Sequence, residues 1–386
     1  EMGAPIDMSR SSQTVIGMAH IKNAINVLKD FQFETVEDGM ILRHEPIGVC
    51  GMITPWNWPI NQVASKVMPA LAVGCTMVLK PSEEAPIDSM ILAEVLHEAG
   101  VPAGVFNLVN GYGPVVGEAM SNHPGIDVMS FTGSTRGGIA VAKASAATVK
   151  RVSQELGGKS ANIILGDTDI AQAVADGVDY CMDNSGQSCN APTRMLVPNS
   201  QMQVAIEAAR AAVEKIGIGD PSQPGNHIGP VVNKTQFDKI QGLIQEGIDE
   251  GATLVVGGTG RPDDLPVGYY VKPTVFANVN NNMTVAREEI FGPVLAILGY
   301  DDEDEAIAIA NDTDYGLAGY VSSDNMEHAT AVSRRIRAGQ IAINYKGGNA
   351  GTPFGGYKLS GNGREKGRWG LLEFLELKAI TGSVAD

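Results

Sequence analysis

The chain has 386 residues, 44% of them hydrophobic and 19% charged, with a formal net charge of −16. That length predicts two or three domains with ample core, and the balance of residue types is that of a soluble globular enzyme. An acidic surface argues against nucleic acid or an anionic membrane as partner.

The opening "EMGAPIDMSR" is neither a signal peptide nor an initiator sequence, so the chain is expected to be the interior of a longer one. In "FQFETVEDGMILRHEP", residues 31–46, an Asp-Gly turn separates two strand-like runs, which predicts a hairpin. It serves either as a surface decoration or as an arm that pairs with another subunit. From about 47 to 156 apolar runs alternate with helical patterns: "IGVCGMIT", "TMVLK", "VFNLV" and "VMSF" read as strands. Between them, Ile91, Leu92, Val95, Leu96 and Ala99 recur at helical spacing, and Gly100 with Pro102 ends that helix. Repeated strand–helix–strand units predict an α/β fold with a mostly parallel sheet. A second α/β series starts at "SANIIL" and runs to "QIAIN", with the boundary near "ELGGKS", Glu155 to Ser160.

Ligands of open parallel sheets bind beyond the carboxyl ends of the strands. Three unusual stretches fall there: "PWNWP" after Thr54, "KPSE" after Leu79, and "GSTRGG" after "SF". "GSTRGG" opens a helix whose free N–H groups can hold a phosphate, although its glycines depart from G-x-G-x-x-G and a plain helix start has the same look. Lys80 and Glu83 can hydrogen-bond ribose hydroxyls, or form a solvated turn. Asn57, stiffened by prolines and tryptophans, can donate to an oxyanion or satisfy its own turn. Glu155 ends an apolar strand and has glycines beside it; it is either salt-bridged or a base whose pKa burial would raise.

Cys50, Cys75, Cys181 and Cys189 have no C-x-x-C spacing and the six histidines no H-E-x-x-H, so a zinc site or disulfide framework is not expected and a reducing compartment is. No apolar run approaches the roughly 18 residues of a membrane span. Cys189 sits in the polar turn "NSGQSCNAPTR", where a thiol has no packing reason to be.

Taken in order, "PWNWP", "KPSE", "FTGST", "ELGGKS", "GQSCNAPTR", "EEIFGPV", "YGLAG" and "PFGGYKLSGNGRE" resemble the aldehyde dehydrogenase superfamily from one end of the chain to the other. The resemblance implies a Rossmann-type cofactor domain over 1–30 and 47–157, an α/β catalytic domain over 158–374, and a small β oligomerisation arm from 31–46 and 375–386. It implies Cys189 as the nucleophile, Asn57 as an oxyanion donor with the Cys189 N–H, and Glu155 as the base that hydrolyses a thioester. Lys66 and Glu365 match positions that move protons out of the site. Ile53, Thr54, Pro55 and Trp56 would line the cofactor groove, with Lys80 and Glu83 at the adenosine ribose and Gly113 and Pro114 near adenine. Gly133 and Ser134 would lie at the pyrophosphate, Leu156, Gly157, Glu289 and Phe291 at the nicotinamide riboside, and Ser82 and Phe131 elsewhere along the bound cofactor. Trp58, Gln62, Asp183 and Phe354 would border the substrate tunnel, and Asp183 is polar where many relatives are aromatic.

A carboxylate at Glu83 welcomes a 2′-hydroxyl and repels a 2′-phosphate, so NAD is favoured over NADP. The implied protein is a cytoplasmic homodimer or homotetramer acting on a small aldehyde, with no metal and neither nucleic acid nor membrane as partner. Family members carry a further segment ahead of the point that matches Glu1. Glu155 favours release of free acid over transfer of the acyl group to coenzyme A. A cofactor-free thiol hydrolase would need a histidine beside Cys189, and no histidine lies near any motif. A non-catalytic relative would have no use for Cys189, Glu155 and Asn57 together.

Overall fold

The computed structural model describes residues 1–382; the last four residues of the expected arm, 383–386, lie outside the described residues. The chain divides into two compact units. One holds Ser11–Glu155, Asn349–Gly355 and the chain from Asn362 onward; the other holds Glu1–Arg10, Leu156–Gly348 and Gly356–Gly361.

The first unit contains the hairpin. Strands β1 (Glu34–Glu37) and β2 (Met40–Pro46) pair antiparallel, and the strand Leu375–Thr381 pairs antiparallel with the other edge of β2. Asp38 and Gly39 turn the chain with φ of 49° and 73°. Positive φ at both positions is what a two-residue turn needs to match strand twist, and Asp-Gly supplies it at low cost.

The same unit holds a parallel sheet built on β3 (Val49–Ile53), β4 (Thr76–Lys80), β5 (Phe106–Leu108), β6 (Val128–Thr132) and β7 (Arg151–Glu155), with spatial order β7-β6-β3-β4-β5. Cys50 and Met52 of β3 and Met77 and Leu79 of β4 pack with Val63 and Val67 of the helix Pro59–Ala72. Leu92 and Leu96 of the helix Ile87–Glu98 join that core. Each such side chain contributes about 1.5–3 kcal/mol on burial. The helical stripe read from the sequence is narrower than expected: Ile91 and Val95 are 55% and 51% exposed. Only one edge of that helix meets the sheet, so the residues beside Leu92 and Leu96 on the helical wheel turn outward.

Register aligns the carboxyl ends of these strands. Ile53 is opposite both Lys80 and Phe131, and Thr132 is opposite Glu155. The chain leaves β3 for β4 and β5, then returns to β6 on the other side of β3. Such a reversal is the switch point beyond which open α/β sheets bind their ligands.

The second unit is built on a seven-stranded sheet. Its order is Thr253–Val256, Thr274–Ala277, Val294–Tyr300, β9 (Arg194–Pro198), β8 (Ala161–Ile164), Ala318–Ser322, Gln340–Ile343. Only the first pair is antiparallel. Ile163, Leu196, Phe276 and Ala296 pack on one face, and Ile164, Met195, Val275 and Ile297 on the other. A parallel sheet covered on both faces reads as continuous apolar runs, which is why "SANIIL" and "RMLVP" lack alternation.

Candidate active site

In the first unit, the loop after β3 and the start of the helix Pro59–Ala72 carry Asn57, which is 2% exposed. Pro59 at the first helical position fits, because its ring fixes a helical φ and the missing N–H costs nothing there. The Asn57 main-chain oxygen accepts from Gln13 Nε2 at 3.4 Å. Ile53, Thr54 and Gln62 are buried, whereas Pro55, Trp56 and Trp58 are half-buried around them.

Glu155, at the end of β7, is also 2% exposed. Its main-chain oxygen accepts the Gly133 N–H at 3.0 Å, which ties "FTGST" to "ELGG". Among the described residues neither carboxylate oxygen has a hydrogen-bond partner. Burial, and after it the charge of Glu365, pushes this carboxyl well above the usual range, while Lys66 pulls the other way. A side chain on Gly355 would come within 2.7 Å of Oε1, so glycine there leaves the carboxylate its space. Lys66 is 1% exposed; its Nζ pairs with Glu365 and donates to Ser130 Oγ at 3.1 Å. Ser65 Oγ donates to the other Glu365 oxygen at 3.2 Å. Phe354 and Glu365 exchange main-chain hydrogen bonds, of 2.9 and 2.7 Å.

Lys80 is buried, donating to the Pro81 carbonyl at 2.7 Å and to Glu83 at 3.1 Å. It is thus Glu83's ion-pair partner rather than a free cation. Ser82 Oγ accepts the Glu84 N–H at 3.2 Å and so shapes that turn. Ser134 caps the helix Thr135–Ser145 by accepting the Gly137 N–H at 3.2 Å. Gly133 and Gly137 have a reason beyond phosphate: a Cβ on either would stand 2.7 or 2.8 Å from the Phe131 ring. Gly113 and Pro114 open the turn that ends at Gly117, where a Cβ would touch Ile53 at 3.3 Å. The hydroxyls of Thr54 and Thr132, at the ends of β3 and β6, are buried and without a partner among the described residues.

The second unit gathers three of the other motifs. Gly157 and Gly158 receive two neighbours that a methyl group would exclude. A Cβ on Gly157 would lie 2.3 Å from Glu289 Oε2, and one on Gly158 would lie 2.3 Å from the Cys189 carbonyl oxygen. The Gly158 N–H donates to Glu289 Oε1 at 3.0 Å. Burial raises the Glu289 carboxyl, and this N–H opposes the shift. Leu156 N–H donates to the Ser360 carbonyl at 3.0 Å, and Ser360 Oγ donates to Gly157 at 2.6 Å. Phe291 is held at φ 60°, an uncommon conformation for an aromatic residue.

Cys189 is half-buried, whereas Cys50, Cys75 and Cys181 are buried. Before it, Asn184, Ser185 and Gly186 have φ of 52°, 57° and 71°. Such a left-handed run needs support. Ser185 Oγ donates to Gly229 at 2.8 Å, and Gln187 joins Asn184 (3.0 Å) to the Val232 N–H (3.0 Å). Asp183, at the start of the run, is exposed. After Cys189, Arg194 is fully buried and donates to Lys159, Asn281, Ile309 and Ala310. Gln187, Ser185 and Ser360 were not singled out from the sequence. Each acts through partners 44 to 203 residues away, and no local pattern records that.

Residues 1–380 match the model of the aldehyde dehydrogenase family. The chain is 53% identical over 383 residues to a 3-succinoylsemialdehyde-pyridine dehydrogenase of a Pseudomonas species, covering 99% of this chain and 80% of that one. An aldehyde dehydrogenase from Bartonella henselae superposes with a TM-score of 0.96 at 54% identity, over 98% of this chain and 80% of the other. A mutant of aldehyde dehydrogenase C from Pseudomonas syringae, in complex with NAD+ and octanal, superposes with a TM-score of 0.98 at 52% identity, over 100% and 80%. Among the described residues no helix is long and apolar enough to cross a membrane.

Proposed function

The chain belongs to the aldehyde dehydrogenase family, and from that premise we propose how its residues divide the work. It is an oxidoreductase that converts an aldehyde to a carboxylic acid with NAD as the oxidant. The residues at the carboxyl edge of β3 to β7 suit a dinucleotide, since the Thr54 and Thr132 hydroxyls are buried without a hydrogen-bond partner among the described residues and glycines crowd the same edge. Ile53 to Trp56, Lys80 to Glu83 and Phe131 to Ser134 would hold it there, with Gly113 and Pro114 near the adenine. Leu156, Gly157, Glu289 and Phe291 would hold the nicotinamide riboside. NAD, when bound, accepts the hydride that leaves the substrate carbon.

Cys189 Sγ, as thiolate, forms a bond to the aldehyde carbon and the carbonyl oxygen becomes an oxyanion. The Asn57 amide and the Cys189 N–H stabilise that charge. Loss of hydride from the carbon leaves a thioester on Cys189. Glu155 takes a proton from water, the hydroxide adds to the thioester carbon, and the thiolate departs as the acid forms. Lys66 and Glu365 pass the proton on from Glu155. Trp58, Gln62, Asp183 and Phe354 border the path of the aldehyde.

One observation carries the hydrolytic step: a buried carboxylate with no hydrogen-bond partner among the described residues and a raised pKa, at the end of β7. A carboxyl in that state is a stronger base than an ordinary exposed carboxylate. On the same footing the β3–β7 sheet is the core of a cofactor domain and the seven-stranded sheet that of a catalytic domain. The sheet of β1, β2 and Leu375–Thr381 is an arm for pairing subunits in a cytoplasmic homodimer or homotetramer.

The test replaces Cys189 with alanine. NADH formation from octanal, 3-succinoylsemialdehyde-pyridine and a panel of other aldehydes is expected to fall by at least about a thousandfold, with NAD still bound by calorimetry. Oxidation at the parent rate would refute the nucleophile. The same panel, scored by kcat/KM on the parent protein, identifies the substrate class.

A further inference from the structure

Outside the residues assigned above, three tyrosines stack together, and one of them, Tyr320, meets the nucleophile's turn. Tyr320, on the strand Ala318–Ser322, is 2% exposed. Its hydroxyl donates to the Asn190 carbonyl at 2.8 Å and accepts from Asn190 Nδ2 at 3.3 Å. Asn190 directly follows Cys189. The Cys189 carbonyl is itself packed on Gly158. Two consecutive carbonyls are therefore held, one by close packing and one by a phenol.

The phenol has little freedom to move. Its ring centroid lies 5.4 Å from that of Tyr180 and 6.0 Å from that of Tyr345, which are 5.7 Å from each other. Tyr345 donates to the Ala173 carbonyl at 3.0 Å and accepts from Asn162 Nδ2 at 2.7 Å. It does so from a left-handed backbone conformation, φ 54°, which a bulky residue keeps only when its surroundings impose it. Burial pushes the Tyr320 hydroxyl well above its ordinary pKa, so it keeps its proton and remains a donor.

We propose that Tyr320 is a positioning residue for aldehyde oxidation: its hydroxyl fixes the Asn190 peptide and thereby aims the Cys189 thiol and N–H at the carbonyl. The proposal rests on Cys189 being the nucleophile. A group acting this way lowers the barrier only when thiol and carbonyl must meet in one geometry. It should matter far less to a small electrophile that can approach the sulfur from any side.

Tyr320→Phe keeps the ring and its stacking and removes only the hydroxyl. The expected result is a fall in kcat of about three- to tenfold with both KM values within about twofold. The pH profile of Cys189 alkylation by iodoacetamide should match that of the parent, while the Tm falls by only the few degrees that one lost buried hydroxyl entails. Asn190→Ala removes the weaker of the two bonds without touching the core and should lower kcat by about twofold. An unchanged kcat in Tyr320→Phe overturns the proposal. So does a loss of kcat matched by equal loss of alkylation rate and a larger fall in Tm, because Tyr320 is then packing alone. Should Tyr320→Phe fail to fold, an unchanged kcat in Asn190→Ala overturns it instead. An active Cys189→Ala variant would remove the nucleophile and this proposal together, whereas an inactive one with a fully active Tyr320→Phe would sink only the role of Tyr320.

Discussion

The turn that carries Cys189 and the strand end that carries Glu155 are prepared in different ways. Around Cys189 the control is geometric: a left-handed backbone run, hydrogen bonds from Ser185 and Gln187, and close approach of Gly158. Around Glu155 the carboxylate has no hydrogen-bond partner among the described residues, and its state is set by burial and the opposed charges of Glu365 and Lys66. A sulfur nucleophile has to be aimed, and a base has to be tuned. Substitutions near Cys189 should therefore change rates equally at all pH values, and those near Glu155 should move the pH dependence.

Among the substitutions that test this division, the largest effect is expected from Glu155→Gln, which removes the proposed base while keeping the shape of the side chain. Steady-state kcat should fall by about a hundredfold or more, with a stoichiometric burst of NADH preserved. Absence of the burst, with hydride transfer shown to be the slow step, would detach Glu155 from deacylation. Next comes Gly186→Ala, where a Cβ would stand 2.1 Å from the Gly292 carbonyl oxygen at a φ of 71°. Denaturant unfolding should show a loss of about 2–4 kcal/mol, and the folded fraction should keep the parent's pH midpoint.

The subtlest readout, a shift of the pH profile, is the most discriminating. If Glu155 is the base proposed above, it works only when ionised, so activity should rise with pH through its folded pKa. Glu365 raises that pKa and Lys66 lowers it. Glu365→Gln should accordingly move the rising limb to lower pH, and Lys66→Met should move it to higher pH. Both variants break a buried ion pair, so the profiles are compared below the unfolding temperature. If the limb stays still in both while Gly186→Ala shifts it, the division between aiming and tuning is wrong.

Much of the first unit was legible in the sequence because its signals are local. The apolar runs ending at Ile53, Lys80, Thr132 and Glu155, and the Asp38–Gly39 turn, state their geometry within a few residues. Family resemblance, rather than spacing, brought Glu289 and Phe291 into consideration. What carries no local signal depends on distant partners: Tyr320 meets Asn190 across 130 residues, and Gln187 meets Val232 across 45. Gly133 and Gly137 of "GSTRGG" illustrate an ambiguous signal, since the Phe131 ring alone calls for glycine there, whether or not a phosphate does. The exposed Ile91 and Val95 mark the limit of periodicity, which identifies a helix without saying how wide a stripe its neighbour covers.

Three of the four sulfhydryls are enclosed in packed interiors and the fourth is half open to solvent. The native protein therefore comes with its own counting standard. A colorimetric disulfide reagent should consume one equivalent before denaturation and four after it. A dye, spin label or heavy atom attached through that chemistry reports from one address in each chain.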